Sequence, residues 1–291
     1  MKTIRKLLGT APTSRGVNRY APSGLAMKLS VKRTTDYKPV RYKNRNENQN
    51  RKILVIGTEE GLLPMQNGKQ FETGNHPVEL FVPLLHWEQA GFGFDFVTPT
   101  GKPLQLEHWA MPEEDEDVMR IYRQNKAQLA RPLDLRDVVE SGLFEDSPYL
   151  GVFIPGGHGA ILGLPQNTDV KRVIEWALAE DKYLVSICHG PAALLAASMQ
   201  EPQGNFALKG YQLAAFPDSM DKLLPALGYL PGKMPWLFGE KLKERGMKIV
   251  NSTASGKVCQ DRKLLTGDSP MAANKLGKLT TEVFLQEIQS K

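Results

Sequence analysis

The chain has 291 residues, 41% of them hydrophobic and 24% charged, with a mean hydropathy of −0.35. This composition excludes a disordered or collagen-like chain and is typical of one large globular domain or two modest ones. No apolar run approaches the roughly 18 residues of a membrane span, and no secretory signal is expected. The two cysteines cannot build a disulfide framework, which predicts a cytoplasmic protein.

The net charge of +5 is distributed unevenly along the chain. Residues 1–52 carry 14 Lys+Arg and two acidic residues, a net of +12, whereas residues 53–291 carry 23 and 30, a net of −7. The first segment has no sustained apolar period, which predicts a basic N-terminal arm and linker before a domain at 53–291. A mitochondrial transit peptide is the alternative in a eukaryote. A solvated tail is favoured over a tether to nucleic acid or to an anionic membrane.

Apolar runs and helical patterns alternate from residue 53 onward. Strands are predicted at 53–57, 94–98, 149–157 and 183–187, with helices at 77–90 and 168–180 between them. Continuous apolar strands separated by helices indicate a doubly wound parallel α/β fold. Residues 102–148, with two predicted helices, are too long for an ordinary connection and predict a lid or small inserted subdomain. After residue 210 the alternation resumes, and a last helix ends near 289.

The sequence YLVSICHGPAALLAAS contains the sharpest chemical signal. A strand ends at Ile187, Cys188 and His189 follow, and Gly190 and Pro191 lead into an Ala/Leu helix. This order is typical of a nucleophile elbow, where a helix N-terminus favours the thiolate. We predict a reactive Cys188, and the alternative is a small buried thiol. His189 is expected to point away from Cys188, either toward an acid elsewhere or as an ordinary polar residue.

Other candidates lie at the same edge of the predicted sheet. Gly156 and Gly157 follow the third strand with N–H groups that suit an oxyanion, and the alternative is a plain turn. His158 is interpreted as a hydrogen-bonding loop residue. Glu79 lies near the N-terminus of the helix after the first strand, where it is either a partner of the helix dipole or a proton-transfer group beside Cys188. Neither metal-binding spacing nor a phosphate-binding glycine loop is found, so no cofactor is predicted.

Several of these segments resemble a known family. The motifs FETGNHPVE, IPGGHGA, SICHGPAALL, FPDSMD and DRKLLTGDSPMAANKLGKL occur in this order within residues 53–289. They resemble the HchA-type branch of the ThiJ/PfpI superfamily. The resemblance implies a flavodoxin-like sheet related to class I glutamine amidotransferases, a homodimer, and glutathione-independent glyoxalase (glyoxalase III) or deglycase activity. The alternative function it implies is a stress holdase that binds unfolded proteins through an apolar dimer surface.

The resemblance also implies roles for particular residues. They are the nucleophile Cys188, the adjacent His189, the triad acid Asp221, the catalytic Glu79, and the oxyanion amides of Gly156 and Gly157. Methylglyoxal or glyoxal would form a hemithioacetal on Cys188, and Glu79 with His189 would carry protons through an enediol to give D-lactate or glycolate. The implied enzyme is a lyase (D-lactate dehydratase) with a deglycase hydrolase activity on glycated proteins or nucleotides.

Some members of the branch bind a metal through two His and one Glu. The matching positions in this chain are Glu88, Gly93 and Asn125, so none of the three ligands is kept. We therefore predict that the chain binds no zinc.

Overall fold

The computed structural model describes residues 8–48, 50–143, 147–202 and 205–290. Residues 1–7 and 49 of the predicted arm lie outside this part. The helices are α1 Gly24–Ser30, α2 Pro77–Gln89, α3 Glu116–Ala130, α4 Leu135–Gly142, α5 Thr168–Ala179, α6 Asp218–Leu223, α7 Phe238–Glu244 and α8 Ala273–Gln289. The strands are β1 Thr13–Gly16, β2 Arg19–Ala21, β3 Lys52–Ile56, β4 Leu62–Pro64, β5 Gln70–Glu72, β6 Gly93–Thr98, β7 Leu133–Asp134, β8 Tyr149–Ile154, β9 Tyr183–Ile187, β10 Gln212–Leu213, β11 Lys248–Ile249, β12 Val258–Asp261 and β13 Leu264–Gly267. Short 3₁₀ helices include His158–Ile161 and Gly190–Ser198.

The main sheet is parallel except at one edge. Its strand order is β12-β13-β9-β8-β3-β6-β7, and only β12 runs antiparallel to its neighbour. The chain proceeds outward from β3 in both directions, so the carboxyl ends of β3 and β8 flank the point where the strand order reverses. Ligands of such sheets bind in this crevice. The doubly wound α/β fold and its four predicted inner strands are confirmed.

The sheet is buried on both faces, which explains why its strands are continuously apolar. Leu54 and Ile56 of β3 pack in one core with α5 and α7, whereas Ile53 and Val55 pack in the other with α2 and α8. All four side chains are fully buried. Because successive side chains of a strand point to opposite faces, a strand covered on both sides needs apolar residues at every position.

The inserted segment 102–148 contains the two predicted helices, α3 and α4. The lid or small inserted subdomain expected here stays a prediction. Strand β7 of the segment pairs in parallel with β6, through Val97 and Leu133, and α3 packs against α2. The segment therefore completes one edge of the main sheet and covers one of its faces, so it shares the core of the domain.

The N-terminal segment differs from the expected extended arm. β1 and β2 form a hairpin, and Tyr20 of β2 pairs with Phe71 of β5 in a second sheet, ordered β1-β2-β5-β4. Ser23 caps α1 through a 3.1 Å hydrogen bond from the N–H of Ala26. Further along, the Asn46 N–H donates to the carbonyl of Ala90. Backbone pairing of this kind does not require apolar residues at regular spacing. The sequence pattern therefore did not reveal it and predicted only an arm and linker. The proposed division at residue 53 stays a prediction.

No helix among the described ranges is both long and apolar enough to cross a membrane.

Candidate active site

Cys188 lies in the sharp turn that follows β9. Its φ is +59°, an uncommon left-handed conformation for a residue other than glycine, and the side chain is only 5% exposed. Its N–H donates to the carbonyl of Gly267 at 2.8 Å, and its carbonyl accepts from the N–H of Phe216 at 2.9 Å. These two bonds hold the strained turn in place. Burial, followed by the charge of Glu79, raises the pKa of the Cys188 thiol well above its ordinary value.

His189 contacts an acid, which was one of the two expectations, but it also faces Cys188, which was not expected. Its Nδ1 lies 3.3 Å from the Cys188 sulfur, and its Nε2 lies 3.0 Å and 3.2 Å from the two carboxylate oxygens of Asp221. The left-handed turn at Cys188 brings the adjacent side chains to the same side, and the His189 ring stacks on Phe216 at 4.8 Å. The three residues thus form a continuous thiol, imidazole and carboxylate chain.

The Asp221 carboxylate, on α6, is fully buried yet ionised. Burial alone would raise its pKa, but the imidazoles of His189 and His158 outweigh burial and lower the pKa below its usual value. Burial lowers the pKa of His189, and the charge of His158 lowers it further, against the opposing effect of Asp221. The structure therefore favours a neutral His189 beside a negative Asp221.

Glu79, in the first turn of α2, also lies beside Cys188. A side-chain carbon added at Gly156 would collide with Glu79 Oε2, the Ile187 carbonyl and Cys188 Cβ, which shows how closely these groups converge. Among the described residues, neither Glu79 oxygen has a hydrogen-bond partner, although both are buried. Burial raises the pKa of Glu79 to about 8, partly offset by the neighbouring Cys188. The carboxyl group is therefore mostly protonated at neutral pH.

Gly156 and Gly157 lie in the loop after β8, between Glu79 and the elbow. The Gly156 carbonyl accepts from the N–H of His76 at 2.9 Å, which ties the loop to the start of α2. Within the described ranges, the N–H groups of both glycines have no acceptor. Unpaired amides beside a nucleophile suit an oxyanion, and that role stays a prediction.

Sequence reasoning missed a second buried cluster, around His158. Its Nδ1 lies 3.6 Å from Glu107 Oε1, and its Nε2 lies 3.4 Å from Asp221 Oδ1. The His158 and His189 rings are 4.1 Å apart. The GGHG sequence placed His158 at the correct edge, but no pattern pointed to Glu107, which reaches it from a loop 51 residues earlier in the chain.

Comparison with known proteins identifies the family. The sequence is 45% identical over 270 residues to the protein/nucleic acid deglycase HchA of Pseudomonas aeruginosa (strain UCBPP-PA14), covering 92% of each chain. A Staphylococcus aureus (strain bovine RF122 / ET3-1) protein of the same name is 44% identical over 275 residues, covering 94% of each chain. The chain belongs to the HchA family. The family resemblance seen in its motifs is therefore confirmed, although no protein-family model matches the chain.

Solved structures share the fold of this HchA-family chain. The 24 kDa rapid encystment protein of Francisella tularensis superposes with a TM-score of 0.66 at 20% identity, covering 80% of this chain and 99% of that one. Glyoxalase III of Candida albicans superposes with a TM-score of 0.61 at 18% identity, covering 79% and 95%. At these identities the likeness shows the fold.

The positions that the family resemblance matches to metal ligands make other contacts in this structure. Glu88 is engaged by the Arg120 guanidinium at 2.6 Å, and the Asn125 amide donates to the carbonyl of Ile121. The neighbouring His86 has both ring nitrogens occupied, by the Tyr42 hydroxyl and the Asn274 side chain. Among the described residues, His158, His189 and Asp221 lie close enough to share an ion. These three side chains already face one another and Glu107, and the absence of bound zinc stays a prediction.

Proposed function

We propose that this HchA-family chain is an enzyme that acts on reactive 2-oxoaldehydes and on the adducts they form, with Cys188 as its nucleophile. The observation that carries the proposal is the placement of one buried thiol between a proton acceptor, His189, and a protonated carboxyl, Glu79. The curated relatives are named protein/nucleic acid deglycases, which supports the same class of substrate.

The two flanking groups suit the attack on an aldehyde. The Cys188 proton passes to His189 Nδ1 as the sulfur bonds to the aldehyde carbon. Glu79 gives its proton to the aldehyde oxygen, close to the amides of Gly156 and Gly157, and a hemithioacetal forms. Glu79 is now a carboxylate and His189 an imidazolium stabilised by Asp221.

The same groups suit the rearrangement of that hemithioacetal. Glu79 removes the hydrogen from the carbon bonded to sulfur, and His189 protonates the second carbonyl oxygen to give an enediol. His189 then takes the hydroxyl proton from the sulfur-bearing carbon, and Glu79 delivers its proton to the neighbouring carbon to give a thioester. Water attacks the thioester and loses a proton to Glu79, while the departing sulfur regains its proton from His189. The products are a 2-hydroxy acid, D-lactate from methylglyoxal, and the enzyme in its starting state.

Lyase and hydrolase activity differ in the substrate that reaches Cys188. A free 2-oxoaldehyde gives the lyase reaction, and the adduct of a protein or nucleotide amine gives the deglycase reaction. We expect release of D-lactate from a preformed adduct to persist when aminoguanidine removes free methylglyoxal. Loss of that release would restrict the enzyme to the free aldehyde. The homodimer and the cytoplasmic location stay predictions from the sequence.

The test of the function is a glutathione-free methylglyoxal assay. Cys188→Ala should reduce D-lactate formation to background, because no other described thiol lies at the site, whereas Cys259→Ser should retain the full rate. If Cys188→Ala keeps its rate, the assignment of the nucleophile is wrong. If the wild-type protein forms no D-lactate yet suppresses aggregation of an unfolded client equally with and without Cys188, the holdase alternative replaces the enzyme.

A further inference from the structure

His158 is a buried histidine that the proposed reaction does not use. It is 3% exposed and lies between two carboxylates that belong to different parts of the fold. Glu107 Oε1 faces its Nδ1 at 3.6 Å and also accepts from its backbone N–H at 3.1 Å. Asp221 Oδ1 faces its Nε2 at 3.4 Å. A side chain with one carboxylate at each ring nitrogen is placed to carry a positive charge.

Glu107 is itself fixed by a second contact. The Thr73 hydroxyl donates to Glu107 Oε1 at 2.9 Å, and Phe71 meets the His158 ring edge-on at 5.6 Å. Burial would raise the pKa of Glu107, but its contacts with His158 lower it below the usual value. Burial would lower the pKa of His158, yet Asp221 and Glu107 raise it to about 10. These pKa shifts favour one positive and two negative charges in the cluster, out of solvent.

The position of this charge matters because Asp221 is shared. Its carboxylate is 3.0 Å from His189 and 3.4 Å from His158, and the two rings are 4.1 Å apart. If His158 is positively charged, a positive charge on His189 would be repelled by it, because the two rings are close together and little water screens them. We propose that His158 is a positioning residue, an imidazolium fixed between Glu107 and Asp221 that keeps His189 uncharged, and so able to accept the proton of Cys188.

With Asp221 as its only charged neighbour, His189 would tend to take the proton of Cys188 and form a thiolate–imidazolium pair. The positive charge of His158 opposes this transfer in the resting site. Glu79 lies beside the thiol, and the other titratable groups near His158 are His76 and Tyr229. Burial lowers the pKa of His76 to about 4 and raises that of Tyr229, so both stay neutral between pH 6 and pH 9. The resting site accordingly holds a thiol and a neutral His189. The inference rests on the proposed role of Cys188 but requires no particular substrate.

The test measures the thiol directly. In a Cys259→Ser background, Cys188 is the only thiol, and its rate of alkylation by iodoacetamide reports the thiolate. His158→Gln should let His189 take the thiol proton and shift the midpoint of the alkylation pH profile down by about one pH unit or more. His108→Gln, at an exposed histidine, should leave the midpoint unchanged. An unchanged midpoint in a folded His158→Gln protein would overturn the proposal.

A second measurement uses the wild-type protein, in case the variant does not fold. In protein labelled with ¹⁵N at histidine, one imidazole should keep two ring N–H protons up to about pH 9, while the His189 ring should be neutral at pH 7. A spectrum in which every buried histidine is neutral at pH 7 would contradict the proposal. Because neither measurement contains a substrate, failure of the glyoxalase assay and failure of this inference are distinguishable.

Discussion

Two buried carboxyl groups of the site, Glu79 and Asp221, are in opposite protonation states. Glu79 has no hydrogen-bond partner within the described part of the chain, and burial raises its pKa to about 8. Asp221 is equally buried, but two imidazoles lie within 3.4 Å of it and lower its pKa. Burial is thus common to both, and the neighbouring charges decide which carboxyl group keeps its proton. A pair of acids whose pKa values are driven apart in this way is suited to separate roles, one as proton donor and one as fixed anion.

Removing the fixed anion should have the largest effect. We expect Asp221→Asn to lower kcat by about 10⁴-fold, since the His189 imidazolium formed during attack would lose its counter-charge and its orientation. Steady-state kinetics with methylglyoxal measure the effect. Asp218→Asn, three residues earlier on α6, is the matched control and should change kcat little. Similar losses in both variants would point to damage of the helix instead.

Replacing the proton donor should have a smaller effect. Glu79→Gln keeps the shape of the side chain but cannot transfer a proton, so kcat should fall by about 10²- to 10⁴-fold with KM nearly unchanged. Glu113→Gln, at an exposed glutamate, serves as control. A fall in kcat/KM that came entirely from KM would show that Glu79 binds substrate and transfers no proton.

The close packing of Gly156 against Glu79 and Cys188 can be tested by measuring stability. Gly156→Ala should lower the free energy of unfolding by about 1–3 kcal/mol, because its Cβ would meet Glu79, the Ile187 carbonyl and Cys188. Gly24→Ala, where an added Cβ meets open space, should be close to neutral. Denaturant unfolding compares the two, and equal stability would mean that the three groups are further apart than described.

The raised pKa of Glu79 should also make stability depend on pH. Between the unfolded value of about 4.5 and the folded value of about 8, the native state keeps a proton that the unfolded state has lost. Raising the pH over this interval therefore destabilises the protein, by at most about 1.4 kcal/mol per pH unit from this group. Glu79→Gln should remove this dependence on pH. The free energy of unfolding of the variant, relative to that of the wild type, should therefore increase from pH 5 to pH 8. If the difference in unfolding free energy between the two proteins were the same at every pH, the pKa of Glu79 would not be raised.

The inner strands and the elbow were predictable from the sequence, but the charge states of Glu79 and Asp221 were not. The apolar runs fixed the inner strands, and the order of Cys188, Gly190 and Pro191 predicted the elbow, because both signals are local. The contact of His189 with an acid was among the expectations, but its approach to Cys188 was not, since that depends on the φ of Cys188, which short-range patterns do not reveal. Glu107 was missed because its contact with His158 forms only when distant segments meet. A pKa depends on such contacts, so it follows from the fold.

The opposite states of Glu79 and Asp221 can be measured directly by ¹³C NMR of labelled side-chain carboxyl groups. We predict one glutamate signal that titrates with an apparent pKa near 8 and is absent from Glu79→Gln, and one aspartate signal, absent from Asp221→Asn, that stays ionised down to the lowest pH at which the protein is folded. The central claim is that neighbouring groups drive the pKa values of these two buried acids apart. It would be contradicted if the Glu79 signal titrated in the ordinary range of an exposed glutamate.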